Sequence, residues 1–278
     1  MKEGAGTKPF VLFIETLEPW LSEVVLIGGW VHRLYWLDPR AHELSYPPLT
    51  TLDGDVAIPS ALGGKHGSIR ERLLEAGFKE GFVGDHLPPA THYHWTGSGE
   101  FYAEFLSPLR GSEFDRKGKR KATVSVAGVS SQQLRDVEIL LISPWTMTLS
   151  GANGFPFKKS TNVQVANPAS FLAQKLLIHA QRAVRDRAKD LLYAHDTIEV
   201  FSANLEELRN LYIGYIGEIK PTLHAKRAKE LREAGSTIFG KVNDTVREAV
   251  RMAIGRKLDP EAMLETCRAG MDEIFVKE

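Results

Sequence analysis

From about Lys8 to Ser22 the apolar residues fall at mixed helical spacing, and a compact β-branched run, Glu23-Val24-Val25-Leu26-Ile27, follows and ends on Gly28-Gly29. The pattern predicts a helix, a buried strand and a tight turn. Trp30, Val31, Leu34 and Leu37 then recur at a spacing that suits a helix packed on a sheet. Beyond the proline-containing loop at Tyr46-Pro47-Pro48, the segment Thr51 to Pro59 alternates polar and apolar residues, as a half-buried strand does. Asp53 and Asp55 share one face of that strand. Ser68, with Glu71 three residues later, predicts a capped helix to Ala76 that stops near Gly77. Strands are predicted at His92 to Trp95 and Glu100 to Leu106, joined by a hairpin at Thr96-Gly97-Ser98-Gly99, and again at Val137 to Ile142 and Trp145 to Leu149.

The texture changes before Asn167-Pro168, a good N-cap and first-turn pair, and helical patterns continue to the end. Helices are expected from Pro168 through Leu177, Leu205 to Leu211, Pro221 to Ala234, Val242 to Ile254 and Pro260 to Phe275. A boundary near residue 160 therefore divides a β-rich domain, residues 1–160, from a helical one, residues 161–278.

Composition adds class and little else. With 278 residues, 43% apolar and 25% charged, the chain is that of an ordinary globular protein with room for a full core. Lys plus Arg and Asp plus Glu both number 35, so global charge gives no argument for nucleic-acid or membrane-surface binding. Cys267 is the single cysteine, which excludes an internal disulfide or a thiolate metal site and suits a reducing compartment. The opening twenty residues lack a signal-peptide core, and no apolar stretch is long enough to span a membrane, so a cytoplasmic setting is expected.

Chemistry concentrates in three places. A glycine pair between strand and helix, Gly28-Gly29, lets backbone N–H groups approach a phosphate at a helix N-terminus, although such a pair also serves as a plain tight connection. Asp53 and Asp55 point the same way, within reach of one or two hard cations that prefer oxygen ligands. Glu104 lies in the apolar Phe101-Tyr102-Ala103-Glu104-Phe105-Leu106, where an acid needs solvent, a partner or a metal. Asp85 and Glu100, in turn-like surroundings, are weaker competitors. His92 and His94 share a strand face without a third ligand at evident spacing, and read as structural or acceptor-facing. The basic stretch Arg116 to Lys121 reads as a solvated hairpin tip that could also touch RNA phosphates.

Gly28-Gly29-Trp30, Asp53-Gly54-Asp55 and Glu104 together resemble the DNA-polymerase-β-like nucleotidyltransferase superfamily, whose pattern is a glycine turn, a D-x-D or D-x-E strand and a third strand acid. Glycine stands where many members carry serine, which narrows the branch. Pro168 to Leu176, followed by Arg187-Ala188-Lys189-Asp190-Leu191, is similar to the AbiEii-type branch, which includes toxins of toxin–antitoxin pairs. The resemblance implies an α+β fold, a mixed sheet flanked by helices and then a helical domain. It further implies a two-metal magnesium site on Asp53, Asp55 and Glu104, a nucleoside triphosphate cradled by Gly28 and Gly29, Lys175 on the triphosphate, and Asp190 in the active-site cluster. Lys175, Arg182 and Lys189 recur every seven residues, so an unbroken helix would line them up as a cationic stripe, which on its own is better explained by a solvated face.

The expected activity is transfer of a nucleoside monophosphate to an acceptor hydroxyl with release of pyrophosphate. Addition to tRNA ends, as a toxin with a cognate antitoxin, is one implication of the resemblance. A small-molecule acceptor, as in antibiotic-modifying relatives of the fold, is the enzymatic rival, and a non-catalytic nucleotide-sensing or interaction module is the third reading.

Overall fold

The computed structural model describes residues 6–276 except 50, 61, 63–66, 85–88, 98–99, 113, 115–117, 119–121 and 219–220. Asp85 and most of the basic stretch 116–121 lie outside the described residues. The fold is a mixed α+β one, with a central mixed sheet flanked by helices and a C-terminal helical bundle. Contacts divide the chain into two units, residues 1–31 with 50–166, and residues 32–49 with 167–278.

In the first unit, helix α1 (Thr7–Thr16) buries Phe10, Phe13 and Ile14, which recur every third or fourth residue on one face. Strand β1 (Val25–Ile27) is buried throughout and passes directly into α2 (Gly28–Tyr35), as the glycine turn predicts. Then come β2 (Asp53–Ala57), α3 (Ile69–Glu75), β3 (Phe78–Val83), β4 (Ala90–Trp95) and β5 (Tyr102–Pro108). Ser68 caps α3, its hydroxyl accepting from the Glu71 N–H at 3.2 Å. Strands β6 (Thr123–Val126), β7 (Val129–Leu134), β8 (Trp145–Leu149) and β9 (Thr161–Val165) complete the sheet.

The strand order is β3-β4-β5-β2-β1-β9-β8, with the β6–β7 hairpin attached through β7 to β5. β2 lies antiparallel to β1 and parallel to β5, and β4 is antiparallel to β5. Phe13 of α1 meets Phe78, Phe101 and Phe105 at ring-centroid distances of 5.9–6.3 Å, so α1 covers the sheet face that carries Gly54, Val56 and Phe105. Trp30 stacks on Phe10 at 3.8 Å, tying the start of α2 to α1.

One predicted strand is not one. Val137 to Leu141 forms a 3-10 turn entered through Asp136 in the left-handed region, φ 63°. Val137, Ile139 and Leu140 are buried in that turn rather than by strand pairing. Strands β3, β6, β7 and β9 are not among the expected strands: β3 and β7 lack a regular apolar alternation, and β6 and β9 alternate over only four and five residues.

In the second unit, Asn167 caps α4 (Pro168–Ile178), accepting from the Ser170 N–H at 2.9 Å. Helices α5 (Val184–Val200), α6 (Leu205–Glu218), α7 (Pro221–Ile238), α8 (Asp244–Met252) and α9 (Pro260–Met271) follow, with a π-helical turn at Asp272–Val276. From Asp190 to Ile198 every residue of α5 is buried, which marks it as the central helix of this unit, packed on α8 and α9. The expected stripe does not form, because the helix breaks at His179–Gln181 and restarts at Val184.

Candidate active site

The glycine turn and the D-x-D strand meet in the first unit. Ile27, the last residue of β1, pairs with Asp55 of β2, so the chain turns into α2 beside that aspartate. Gly28 makes the turn with φ +70°, in the left-handed region that costs other residues free energy. A Cβ on Gly28 would stand 1.8 Å from Asp55 Oδ2, so only a bare Cα admits the carboxylate there. The first N–H groups of a helix lack intrahelical acceptors and carry partial positive charge, which favours a carboxylate or phosphate at this end.

The register places the other acid beside this one. Asp55 pairs in parallel with Glu104, and Glu104 pairs antiparallel with His92. Two residues back, Asp53 pairs with Tyr102 and Tyr102 with His94. Two parallel rungs, Asp55–Glu104–His92 and Asp53–Tyr102–His94, therefore cross three strands on one face. Asp53, Asp55 and Glu104 are half-buried, whereas Gly54, Val56, Ala103 and Phe105 on the opposite face are buried. Gly54 is fixed from behind: a Cβ there would lie 2.8 Å from the Phe101 ring and 3.3 Å from that of Phe13.

Adjacent strands lie about 4.8 Å apart, so two carboxylates in register repel unless a positive or hydrogen-donating group stands near. His92 is such a group, its Nε2 lying 3.1 Å from Glu104 Oε2. The His92 ring is stacked on Tyr102 at 4.8 Å and 11° between planes. Residue spacing shows that His92 and His94 share a face, but only the register across the hairpin reveals which acid His92 reaches.

In the second unit, Lys175 Nζ lies 2.7 Å from Asp190 Oδ1 and Arg182 Nε lies 3.2 Å from Asp190 Oδ2. The broken helix thus folds two of the three stripe cations onto one acid, which is 2% exposed. Lys175 also sits over the rings of Phe171 and Tyr193, and Lys189 over Tyr193. Asp190, which the resemblance assigns to the active-site cluster, is paired with Lys175 and Arg182.

The same helix carries a second polar cluster that sequence reasoning missed. His195, Asp196 and Glu199 bring one ligand atom each to within 4.8 Å of one another, the one such chelating group of three among the described residues. It is a candidate metal-chelating cluster. Arg256 Nη2 already donates to both Asp196 oxygens, at 2.7 and 2.9 Å, and the Tyr46 hydroxyl donates to Asp196 and Glu199. The spacing of His195-Asp196 with Glu199 was the available signal. Beside it, His32 is fully buried against Tyr193, and burial lowers its pKa to about 4, with Asp196 pulling the other way and Arg256 and Lys175 reinforcing the drop.

Among the described residues, the ligand atoms of Asp53, Asp55 and Glu104 do not all fall within 4.8 Å of one another. The donor set still fits a hard cation, since it offers carboxylate oxygens on one half-exposed face with Asp55 seated at a helix start.

Residues 9–213 match the model of a nucleotidyltransferase family, and the chain belongs to that family. The matched span contains strands β1 to β9 and helices α2 to α5, with most of α1. Among solved structures the chain is distantly similar to MenT4, a nucleotidyltransferase toxin from Mycobacterium tuberculosis, at 14% identity and a TM-score of 0.41 over 98% of this chain and 83% of that one. No curated protein matches the chain. Among the described residues no helix is long and apolar enough to cross a membrane.

Proposed function

We propose that this nucleotidyltransferase moves a nucleoside monophosphate from a nucleoside triphosphate to an acceptor hydroxyl, releasing pyrophosphate, at the face carrying Asp53, Asp55 and Glu104. The observation that carries the reading is the alignment of Asp55 and Glu104 in register, with Asp55 lodged against Gly28 where α2 begins. Asp53 and Asp55 are the residues that would hold magnesium, and Glu104 would complete a second-metal site. Magnesium held there would supply positive charge that offsets the charge of the triphosphate. The backbone of Gly28 and Gly29 then approaches the phosphates without side-chain obstruction. Glu104 takes the proton of the attacking hydroxyl, a role for which its half-exposed position leaves access. Lys175 and Asp190 keep the roles the resemblance assigns, with Lys175 offsetting triphosphate charge; Lys175→Met should raise the KM for the triphosphate.

For the acceptor we infer a tRNA end, with the protein acting as a cytoplasmic toxin that a cognate antitoxin restrains. Support for this comes from the AbiEii-like motifs at 168–191 alone. Incubation with α-labelled nucleotides and either total tRNA or a panel of hydroxylated small molecules separates the two enzymatic readings. Asp53→Ala should abolish label transfer while leaving the circular dichroism spectrum unchanged. A fully active Asp53→Ala protein overturns the site, and binding of nucleotide with no transfer to either acceptor class favours a sensor instead.

A further inference from the structure

We propose that His92 is the positioning residue for Glu104, a role that rests on the assignment of Glu104 to the reaction just described. Glu104 lies on β5 between two neighbours in register, Asp55 on β2 and His92 on β4. On the Asp55 side the neighbour repels it; on the His92 side an imidazole Nε2 stands 3.1 Å from its Oε2. A proton on that nitrogen attracts the carboxylate across this contact, and the attraction sets which way the acid turns.

The imidazole is itself held. Its ring is stacked on Tyr102, 4.8 Å away and nearly parallel, and Tyr102 occupies the next rung beside Asp53. His92 therefore cannot swing without breaking a ring stack, and Glu104 cannot rotate without losing its contact with Nε2. Holding Oε2 fixes the plane of the carboxylate and thereby the direction of Oε1 relative to Asp55. A carboxylate that must meet either a cation or a hydroxyl proton gains from a fixed plane, because the reacting geometry tolerates little misplacement. The design matches that of partners behind metal-ligating groups, whose removal costs on the order of 10- to 100-fold in metal affinity or activity.

Four proteins test the idea: His92→Ala, His92→Gln, Glu104→Gln and the double variant His92→Ala/Glu104→Gln. Each is assayed for label transfer from α-labelled nucleotide with magnesium, and urea midpoints are measured in parallel. His92→Ala should lower kcat by about 10- to 100-fold with little change in the KM for nucleotide. His92→Gln, which keeps an N–H donor, should recover a large part of that loss. The double variant should be no slower than Glu104→Gln alone, because His92 acts only through the acid. Wild-type kcat in His92→Ala, or losses that multiply in the double variant, would overturn the inference. Failure of the underlying reading looks different, since Glu104→Gln would then keep full activity. Loss of kcat in His92→Ala without rescue by His92→Gln, at an unchanged urea midpoint, also counts against a hydrogen-bonding role.

Discussion

Replacing Gly28 by alanine should separate chemistry from folding. The new Cβ would stand 1.8 Å from Asp55 Oδ2, and a real Cβ comes no closer than 3.0 Å to another heavy atom, so the carboxylate must retreat by about 1.2 Å. A misplacement of that size in a reacting group costs on the order of 100-fold in rate. The same substitution puts a side chain at φ +70°, which costs roughly 1–2 kcal/mol. A domain of ordinary stability, about 5–15 kcal/mol, stays folded under that loss, so unfolding cannot account for a 100-fold effect. The assay is label transfer together with magnesium-dependent nucleotide binding by calorimetry, with urea denaturation alongside. Gly28→Ala with wild-type kcat/KM would refute the claim that Asp55 acts from its seat beside Gly28.

Two further outcomes concern the helical unit. His32 has a folded pKa of about 4 against 6.5 for an ordinary histidine, so between those values the unfolded chain binds more protons and stability falls as pH drops. The full contribution is present above pH 6.5, about 3 kcal/mol is lost by pH 4, and about 2 kcal/mol of it goes between pH 7 and 5. Urea midpoints of wild type and His32→Leu at pH 7 and 5 should show a shallower acid decline in the variant, and equal declines would exclude this role. Asp190→Ala leaves Lys175, 11% exposed, without its closest acid and should cost about 3 kcal/mol in thermal or urea unfolding. Pairing it with Lys175→Met should restore part of the loss; a single-variant cost below about 1 kcal/mol would show the ion pair to be dispensable.

What the sequence made legible was what local chemistry decides. The caps at Ser68 and Asn167 bond to N–H groups three residues on, so both helix starts follow from short motifs. The alternation around Asp53 and Asp55 reflects a strand buried on one side only, and β4 and β5 pair antiparallel as expected, although Ser98 and Gly99 of the expected turn lie outside the described residues. Val137 to Ile142 has strand-like residues, yet nothing in them reports that Asp136 turns the chain into a 3-10 segment. β3 has exposed residues at Phe82 and Val83 and lies at the sheet edge, where apolar alternation is not required. The break after Ile178 carries neither proline nor glycine, so the seven-residue spacing of Lys175, Arg182 and Lys189 gave no warning of it. Of the candidate site, residue types and order were legible, but register was not. The placement of Glu104 between Asp55 and His92, and that of Tyr46 and Arg256 around Asp196, depend on pairings between segments far apart in the chain.

Gly54 stands between Asp53 and Asp55 with the Phe101 and Phe13 rings filling the space where its side chain would be. The strand is thus one peptide thick between an oily wall and an acidic one. Any change in the wall, a smaller ring or a shifted α1, moves the acids by the same backbone. Selection on this strand acts on interior fit and on reaction rate at once, so substitutions that look like matters of packing alone will be read out as changes in catalysis.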